Sequence, residues 1–321
     1  MSAKQLIRLA ILLGVVLVLW GAAALARRHE TQPASGETFR LPPIARSAVD
    51  TVVLSDSGGT TLLARKDTTS WTVNGQPAAP EAVADLLAAL ADSAPASELV
   101  AERRTSHPEL GVDSTGGTRV RISGRGGTLA ELVVGHRAPG ASGGYVRRAG
   151  QEPTWLVRGG LVDALTRRGD DWRDRRIAVV SADSVAAIEI ARGSRRYTLR
   201  REGSGWSLAA GGAADSARAA DLLAAYRTLE ASGFASAAQA DSARFTRPDR
   251  QTRLLREDGT PLLELEFDST AAGFLVRADS GKTIYTIDEY TADRLAPAES
   301  ALRARREGAR REDAGREGAG R

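Results

Sequence analysis

The hydrophobic pattern of the chain is written twice. Val52 and Leu54 alternate with polar neighbours as one face of a strand, and Ile188 and Ile190 repeat that alternation 136 positions later. Trp71 is matched by Trp206, and Asp85-Leu86-Leu87-Ala88-Ala89 by Asp221-Leu222-Leu223-Ala224-Ala225. A period this long describes a duplicated domain and not a solenoid of short units. The two copies run from Val49 to Leu90 and from Val185 to Tyr226 in their clearest parts.

Each copy reads as strands followed by a helix. In the first, apolar runs at 49–54 and 60–66 flank the turn Asp56-Ser57-Gly58-Gly59, and Trp71-Thr72-Val73 makes a third strand. Pro80 suits the first turn of a helix, where no backbone donor is needed. Val83, Leu86, Leu87 and Leu90 then fall at i, i+3, i+4 and i+7, one apolar face. Strands follow around Val120-Ile122, Leu129-Val134, Tyr145-Arg147 and Trp155-Val157, with Gly124 to Gly127 as a hairpin loop. The second copy has strands at Ile188-Ile190, Tyr197-Leu199 and Trp206-Leu208. Asp215 is its helix N-cap, and Leu222, Leu223, Tyr226 and Leu229 form the buried face. Strands recur at Leu254-Leu255, Leu262-Phe267, Phe274-Val276 and Ile284-Ile287, with Leu263, Leu265 and Phe267 on one face and Glu264 and Glu266 on the other. The expected fold is α+β: two tandem repeats, each an antiparallel sheet with a packed helix, after an N-terminal transmembrane helix.

The ends differ from the body. Leu9 to Ala26 is an uninterrupted apolar run, extended past Arg8 by Leu6 and Ile7, and long enough to span a bilayer as a helix. Ala24-Leu25-Ala26 has the form of a signal-cleavage site, but the run is long for a signal core, so a retained anchor is the preferred reading. The organisation that follows is an anchor over 1–28, a Pro/Gly/Ser linker over 29–46, repeat 1 over 47–168, a junction over 169–181, repeat 2 over 182–296, and a basic disordered tail over 297–321. A short segment before the span favours export of the large domain, giving a single-pass protein of the cell membrane.

Charge removes one class of function. The sequence pI of about 9.7 reflects the two ends. Residues 1–28 carry four basic and no acidic side chains, residues 303–321 seven arginines against four acids, and the body between is slightly acidic. No nucleic-acid-binding face is expected. Cysteine is absent, which excludes disulfides, thiolate catalysis and cysteine-ligated zinc.

The order of features resembles a bacterial family catalogued only as domain of unknown function 4340 (DUF4340). The match lies in the N-terminal span, the paired strands ending in Trp71-Thr72-Val73 and Trp206-Ser207-Leu208, and the helix after each. Leu110-Gly111-Val112 and Trp172-Arg173-Asp174-Arg175-Arg176 match as well. The resemblance covers about residues 49–290. It implies membrane-anchored proteins, some similar to auxiliary parts of gliding-type ABC export systems, and no established activity.

Chemistry-bearing residues are sparse. Of the three histidines, His29 lies in the linker, while His107 and His136 are expected to face solvent; no two have helical metal-site spacing. Gly124 to Gly127 lies between strands and lacks the helix N-terminus of a phosphate cradle. Gly203-Ser204-Gly205 precedes another strand and so is not a nucleophile elbow. Asp170-Asp171 and Glu264/Glu266 are carboxylate pairs, the latter read as a solvated sheet face. Trp71 and Trp206 are read as structural anchors of the repeats. The junction residues Trp172, Arg173, Asp174 and Arg175 are read as a rigid latch between repeats, with Trp172 covering apolar surface and arginines paired to Asp174. No catalytic residue, cofactor or metal is expected. The sequence points to a non-enzymatic membrane-anchored envelope protein, a scaffold or accessory subunit of an ABC-type membrane transport complex, held to the membrane through residues 6–26. The alternative is an extracytoplasmic ligand-binding module using the cleft between repeats.

Overall fold

A computed structural model describes residues 38–140 and 143–304, and the statements that follow concern those residues. They are mostly antiparallel sheet with a few helices, as expected for an α+β chain. The chain divides into two compact units, Met1–Asp174 and Arg175–Arg321. Among the described residues no helix is long and apolar enough to cross a membrane. The expected anchor over residues 6–26, half of the expected linker (29–37) and most of the expected tail lie outside the described residues.

The first unit contains β1 (Thr51–Asp56), β2 (Gly59–Arg65), β3 (Trp71–Val73), β4 (Gln76–Pro77), β5 (Ser97–Ala101), β6 (Thr118–Gly124), β7 (Gly127–Arg137), β8 (Gly143–Arg148) and β9 (Thr154–Arg158). They form one sheet in the order β4-β3-β2-β1-β6-β7-β8-β9-β5. β1–β4 and β6–β9 are each a meander of hairpins, the two join where β1 pairs with β6, and β5 crosses over to the far edge beside β9. Alternation fixes which face is inward. Val52 lies opposite Leu63 on one side and Ile122 on the other, and all three are buried. Helix α1 (Pro80–Ala91) lays Val83, Leu86 and Leu90 on this face, and Leu87 is only partly buried. Two shorter helices follow, α2 (His107–Leu110) and α3 (Gly160–Leu165), the latter packing on α1.

The second unit contains β10 (Arg176–Ala178), β11 (Ala187–Arg192), β12 (Arg195–Glu202), β13 (Gly205–Leu208), β14 (Leu229–Glu230), β15 (Gly233–Phe234), β16 (Arg250–Leu255), β17 (Pro261–Thr270), β18 (Gly273–Ala278) and β19 (Ile284–Ile287). Its main sheet runs β13-β12-β11-β16-β17-β18-β19-β15, and β10 pairs separately with β14. The long helix is α4 (Ser216–Arg227), followed by α5 (Ala237–Ser242), α6 (Glu289–Leu295) and α7 (Glu299–Leu302). Asp215 caps α4 as its position suggests, with Oδ1 accepting from the amides of Ala217 and Arg218 at 3.0 and 3.1 Å.

Both units close in the same way. The chain leaves its last helices and returns alongside the segment that precedes the long helix. In the first unit Ala79 N donates to Trp172 O at 2.7 Å and Asp174 N to Pro77 O at 3.0 Å. In the second Asp215 N donates to Leu302 O at 2.8 Å and Ala304 N to Ala213 O at 3.2 Å. Ala78 faces Arg173, and Ala214 faces Arg303, as the antiparallel pair between those bonds. The place held by Trp172 in one unit is held by Leu302 in the other. A second shared detail is a glycine at the start of the third meander strand. A Cβ on Gly143 would sit 2.3 Å from Val157 O, and one on Gly273 2.4 Å from Ile287 O, so neither strand pairs closely with a larger residue there.

Three boundaries move. The segment read as the end of a linker belongs to the first core: Phe39 is 0 % exposed and Leu41 and Ile44 are buried with it. Phe39 N donates to Ser97 Oγ at 2.9 Å, and its ring lies 5.6 Å from that of Trp155, so a few apolar residues among prolines suffice to hold this stretch down. The tail read as starting at 297 is part of the second unit as far as Ala304, because Leu302 is 2 % exposed and its carbonyl holds the start of α4. The junction read as 169–181 divides after Asp174. Short edge strands such as β5 and β15 escaped the sequence pattern because alternation over so few residues is weak.

Trp172 is fully buried in the first core, and its indole Nε1 donates to Arg167 O at 3.3 Å. Trp172→Ala is expected to lower the stability of the first unit by about 3–5 kcal/mol, the usual cost of truncating a buried aromatic. Hydrogen exchange read residue by residue should show the loss in 38–174 and unchanged protection in 175–304. Protection lost equally in both segments would contradict the assignment of Trp172 to one core.

Candidate functional site

Trp71 and Trp206 sit at matching places, 6 % and 9 % exposed, each beneath an arginine from the preceding strand. Arg65 Nε donates to Val49 O at 3.0 Å and Nη2 to Arg46 O at 2.8 Å, and the guanidinium lies 4.8 Å from the Trp71 ring centre. Arg201 Nε donates to Val185 O at 3.0 Å and Nη2 to Ala182 O at 2.7 Å, 4.9 Å from the Trp206 ring. The guanidinium satisfies carbonyls at the entry to β1 or β11 and covers the indole with its own plane. These tryptophans are thus engaged on one face by cation and elsewhere by core. Neither arginine was singled out by sequence reasoning. The offset of 136 links them, but among 41 arginines one more match carries little weight.

The acidic candidates are held in cross-strand pairs. Glu264 lies opposite Arg253 and Glu266 opposite Arg277 in the sheet register. Glu266 Oε2 accepts from Arg277 Nε at 2.7 Å and Nη2 at 2.6 Å. Glu264 Oε1 accepts from Gln251 Nε2 at 2.7 Å, with Arg253 Nε 3.7 Å from the other oxygen. Asp170 pairs with Arg173 at 3.2 Å, and Asp171 Oδ2 accepts from the Arg168 amide at 3.4 Å.

His107 corrects an expectation. It is buried, because it opens α2 facing inward, and its Nε2 lies 2.7 Å from Glu152 O. His136 is exposed, its ring against Gly111. Gly111 ends α2 with φ +65°, and a Cβ there would meet the His136 ring at 2.5 Å, so both the left-handed turn and the ring require glycine. This accounts for Leu110-Gly111-Val112 as a structural signature. Gly124 and Gly127 close the β6–β7 hairpin, and Gly203, at φ +59°, turns β12 into β13. Among the described residues no three histidine or acidic side chains converge as a metal site.

Of the four residues read as a latch, Trp172, Arg173 and Asp174 belong to the first unit and Arg175 to the second. Asp174 lends its amide to Pro77 O, while Arg175 O accepts from Ala231 N at 2.8 Å.

A groove of about 260 Å³ lies in the second unit, between α4, α6 and α7. Leu222, Pro297 and Leu302 give it an apolar floor, and Tyr290, Arg294 and Arg218 stand on its rim. Tyr290 is 71 % exposed, with the Arg294 guanidinium 5.8 Å from its ring. One wall is an ionic cluster: Asp293 Oδ1 accepts from Arg250 Nη1 at 2.6 Å and from Arg192 Nη2 at 3.1 Å. Arg250, 8 % exposed, also lies 4.4 Å from the Phe274 ring. This carboxylate is engaged by two cations, which suits it to fixing α6 on the sheet. Beneath the groove Tyr226 donates to Leu295 O, Thr252 Oγ1 to the same oxygen at 3.2 Å, and Tyr197 to Pro297 O.

A family model described as "Domain of unknown function (DUF4340)" matches residues 71–250, from Trp71 in β3 to Arg250 in β16, and so takes in part of each unit. No curated protein and no solved structure matches the chain.

The tyrosines under the groove carry a pH dependence. Burial pushes the Tyr197 and Tyr226 phenols well above their ordinary value of 10.0. A neutral acid held protonated by the fold contributes stability that is complete below the unfolded pKa and is lost as pH rises above it. Denaturant unfolding of the second unit should therefore weaken progressively above about pH 10, and Tyr226→Phe should flatten that slope. A slope unchanged by the substitution would show that Tyr226 is not the titrating group.

Proposed function

This chain is a member of the DUF4340 family, a domain of unknown function, and on that premise we propose that it is a non-enzymatic, membrane-tethered envelope protein. Its role on this reading is that of a scaffold or accessory subunit of an ABC-type membrane transport complex. The observation that carries the reading is the combination of an apolar span at 6–26 with two units whose chemistry-bearing side chains are engaged in holding the fold. Glu264 and Glu266 are paired with Arg253 and Arg277, His107 Nε2 with Glu152 O, and Asp293 with Arg192 and Arg250. The tryptophans that a ligand-binding reading would use, Trp71, Trp155 and Trp206, are all buried.

We further propose that the two units are duplicates of one ancestral unit. Three matches support this. The strand order β3-β2-β1-β6-β7-β8-β9-β5 has its counterpart in β13-β12-β11-β16-β17-β18-β19-β15. Arg65 and Arg201 bond to carbonyls at equivalent positions. The closing bonds at Trp172 and Leu302 join equivalent segments.

The test is made on the full-length chain in its own membranes. It should pellet with membranes, resist high-salt extraction, and bring down integral membrane transport subunits when captured from mild detergent after cross-linking. A chain recovered in the soluble fraction as a monomer, with no membrane protein cross-linked to it, would overturn the reading.

A further inference from the structure

The closing segments of the two units are alike in backbone and unlike in side chain. Trp172 O accepts from Ala79 N, and Leu302 O from Asp215 N, so the two side chains start from equivalent points. In the first unit the indole is buried, its Nε1 donating to Arg167 O at 3.3 Å. The Arg167 guanidinium lies 5.5 Å from the ring and is paired with Asp85 at 2.8 Å. In the second unit the smaller, ring-free Leu302 stands there, and a groove of about 260 Å³ lies against it. That groove is bordered by Asp221, Leu222 and Pro297, the counterparts of Asp85, Leu86 and Arg167. The indole site of one unit is thus an open groove in the other.

We propose that this groove receives a tryptophan side chain from a partner protein, supplied in trans where Trp172 supplies it in cis. The size fits one ring system: sites for drug-sized molecules begin near 300 Å³. The rim fits a protein. Exposed Tyr290 with Arg294 over its ring, and Arg218 opposite, are residue types that concentrate binding energy at protein interfaces. An arginine beside the groove also reproduces the cation that covers Trp172. Residues 303–321 carry no aromatic side chain that could supply the ring. That the ring arrives on a protein rests on the scaffold reading above; that the groove accepts an indole does not.

The experiment is ligand-observed ¹⁹F NMR with N-acetyl-5-fluorotryptophanamide and the full-length chain in detergent. The wild type should broaden the fluorine line in a saturable way, and unlabelled N-acetyltryptophanamide should reverse it. Leu302→Trp, which fills the groove from within, should abolish the effect. Tyr290→Ala, an exposed change that leaves the core intact, should weaken binding about fivefold, the scale of one aromatic–cation contact. Broadening that persists at full strength in both variants, or that N-acetylleucinamide reverses equally well, overturns the proposal, as does the absence of broadening in the wild type. Such a failure leaves the membrane-capture result above unaffected, so the groove and the scaffold reading fail separately.

Discussion

Each unit depends on an antiparallel strap of three residues that ties its last segment to the entrance of its long helix. A sheet that carries one helix on a face leaves the helix N-terminus with orphan amides and the sheet core open at one end. The strap deals with both. Helix α1 starts at Pro80 without a side-chain cap, and the amide just before it is held by Trp172 O. Helix α4 has the Asp215 carboxylate as cap, and the Asp215 amide is held by Leu302 O. In both units the residue whose carbonyl makes this bond turns its side chain into the core. Closure between residues 79 and 172, or 215 and 302, spans about two thirds of a unit, so its entropic cost is met only when sheet and helix are already assembled.

Arginine supplies the second layer of organisation. Arg65 and Arg201 bind carbonyls and cover a tryptophan, Arg167 covers Trp172 while pairing with Asp85, and Arg250 joins Asp293 to the Phe274 ring. A planar guanidinium has donors in its plane and an apolar face, so one side chain meets a carbonyl or carboxylate and a ring together. Lysine could not. Arginine, 41 residues against three lysines, is thereby used at named places in the fold.

Much of this was legible in the sequence. Five identical residues at 85–89 and 221–225 located both long helices, Asp215 announced its cap, and the alternation of Leu263, Leu265 and Phe267 gave the inward face of β17. The strap was not legible. Trp172 and Leu302 differ in identity and stand 130 positions apart, while the first halves of the units keep an offset of 135 or 136. An alignment anchored on Trp71 and Trp206 therefore passes them by. The charges around Trp172 suggested a latch between repeats, and Trp172 itself lies in the core of the first unit. Phe39 and Leu302 were missed for a related reason: a lone apolar residue among polar ones has no period, and only tertiary context shows that it is buried.

Absence of cysteine makes the strap directly measurable. Ala78 and Arg173 face each other between two backbone bonds, as do Ala214 and Arg303, and such antiparallel pairs approach to about 4.5 Å between Cα atoms, within reach of a disulfide. Two double-cysteine variants, one for each pair, report on closure without any background thiol. Both should oxidise to an intramolecular disulfide in the folded chain. Disulfide formation in only one of the two matched pairs would contradict the claim that both units are closed by the same strap.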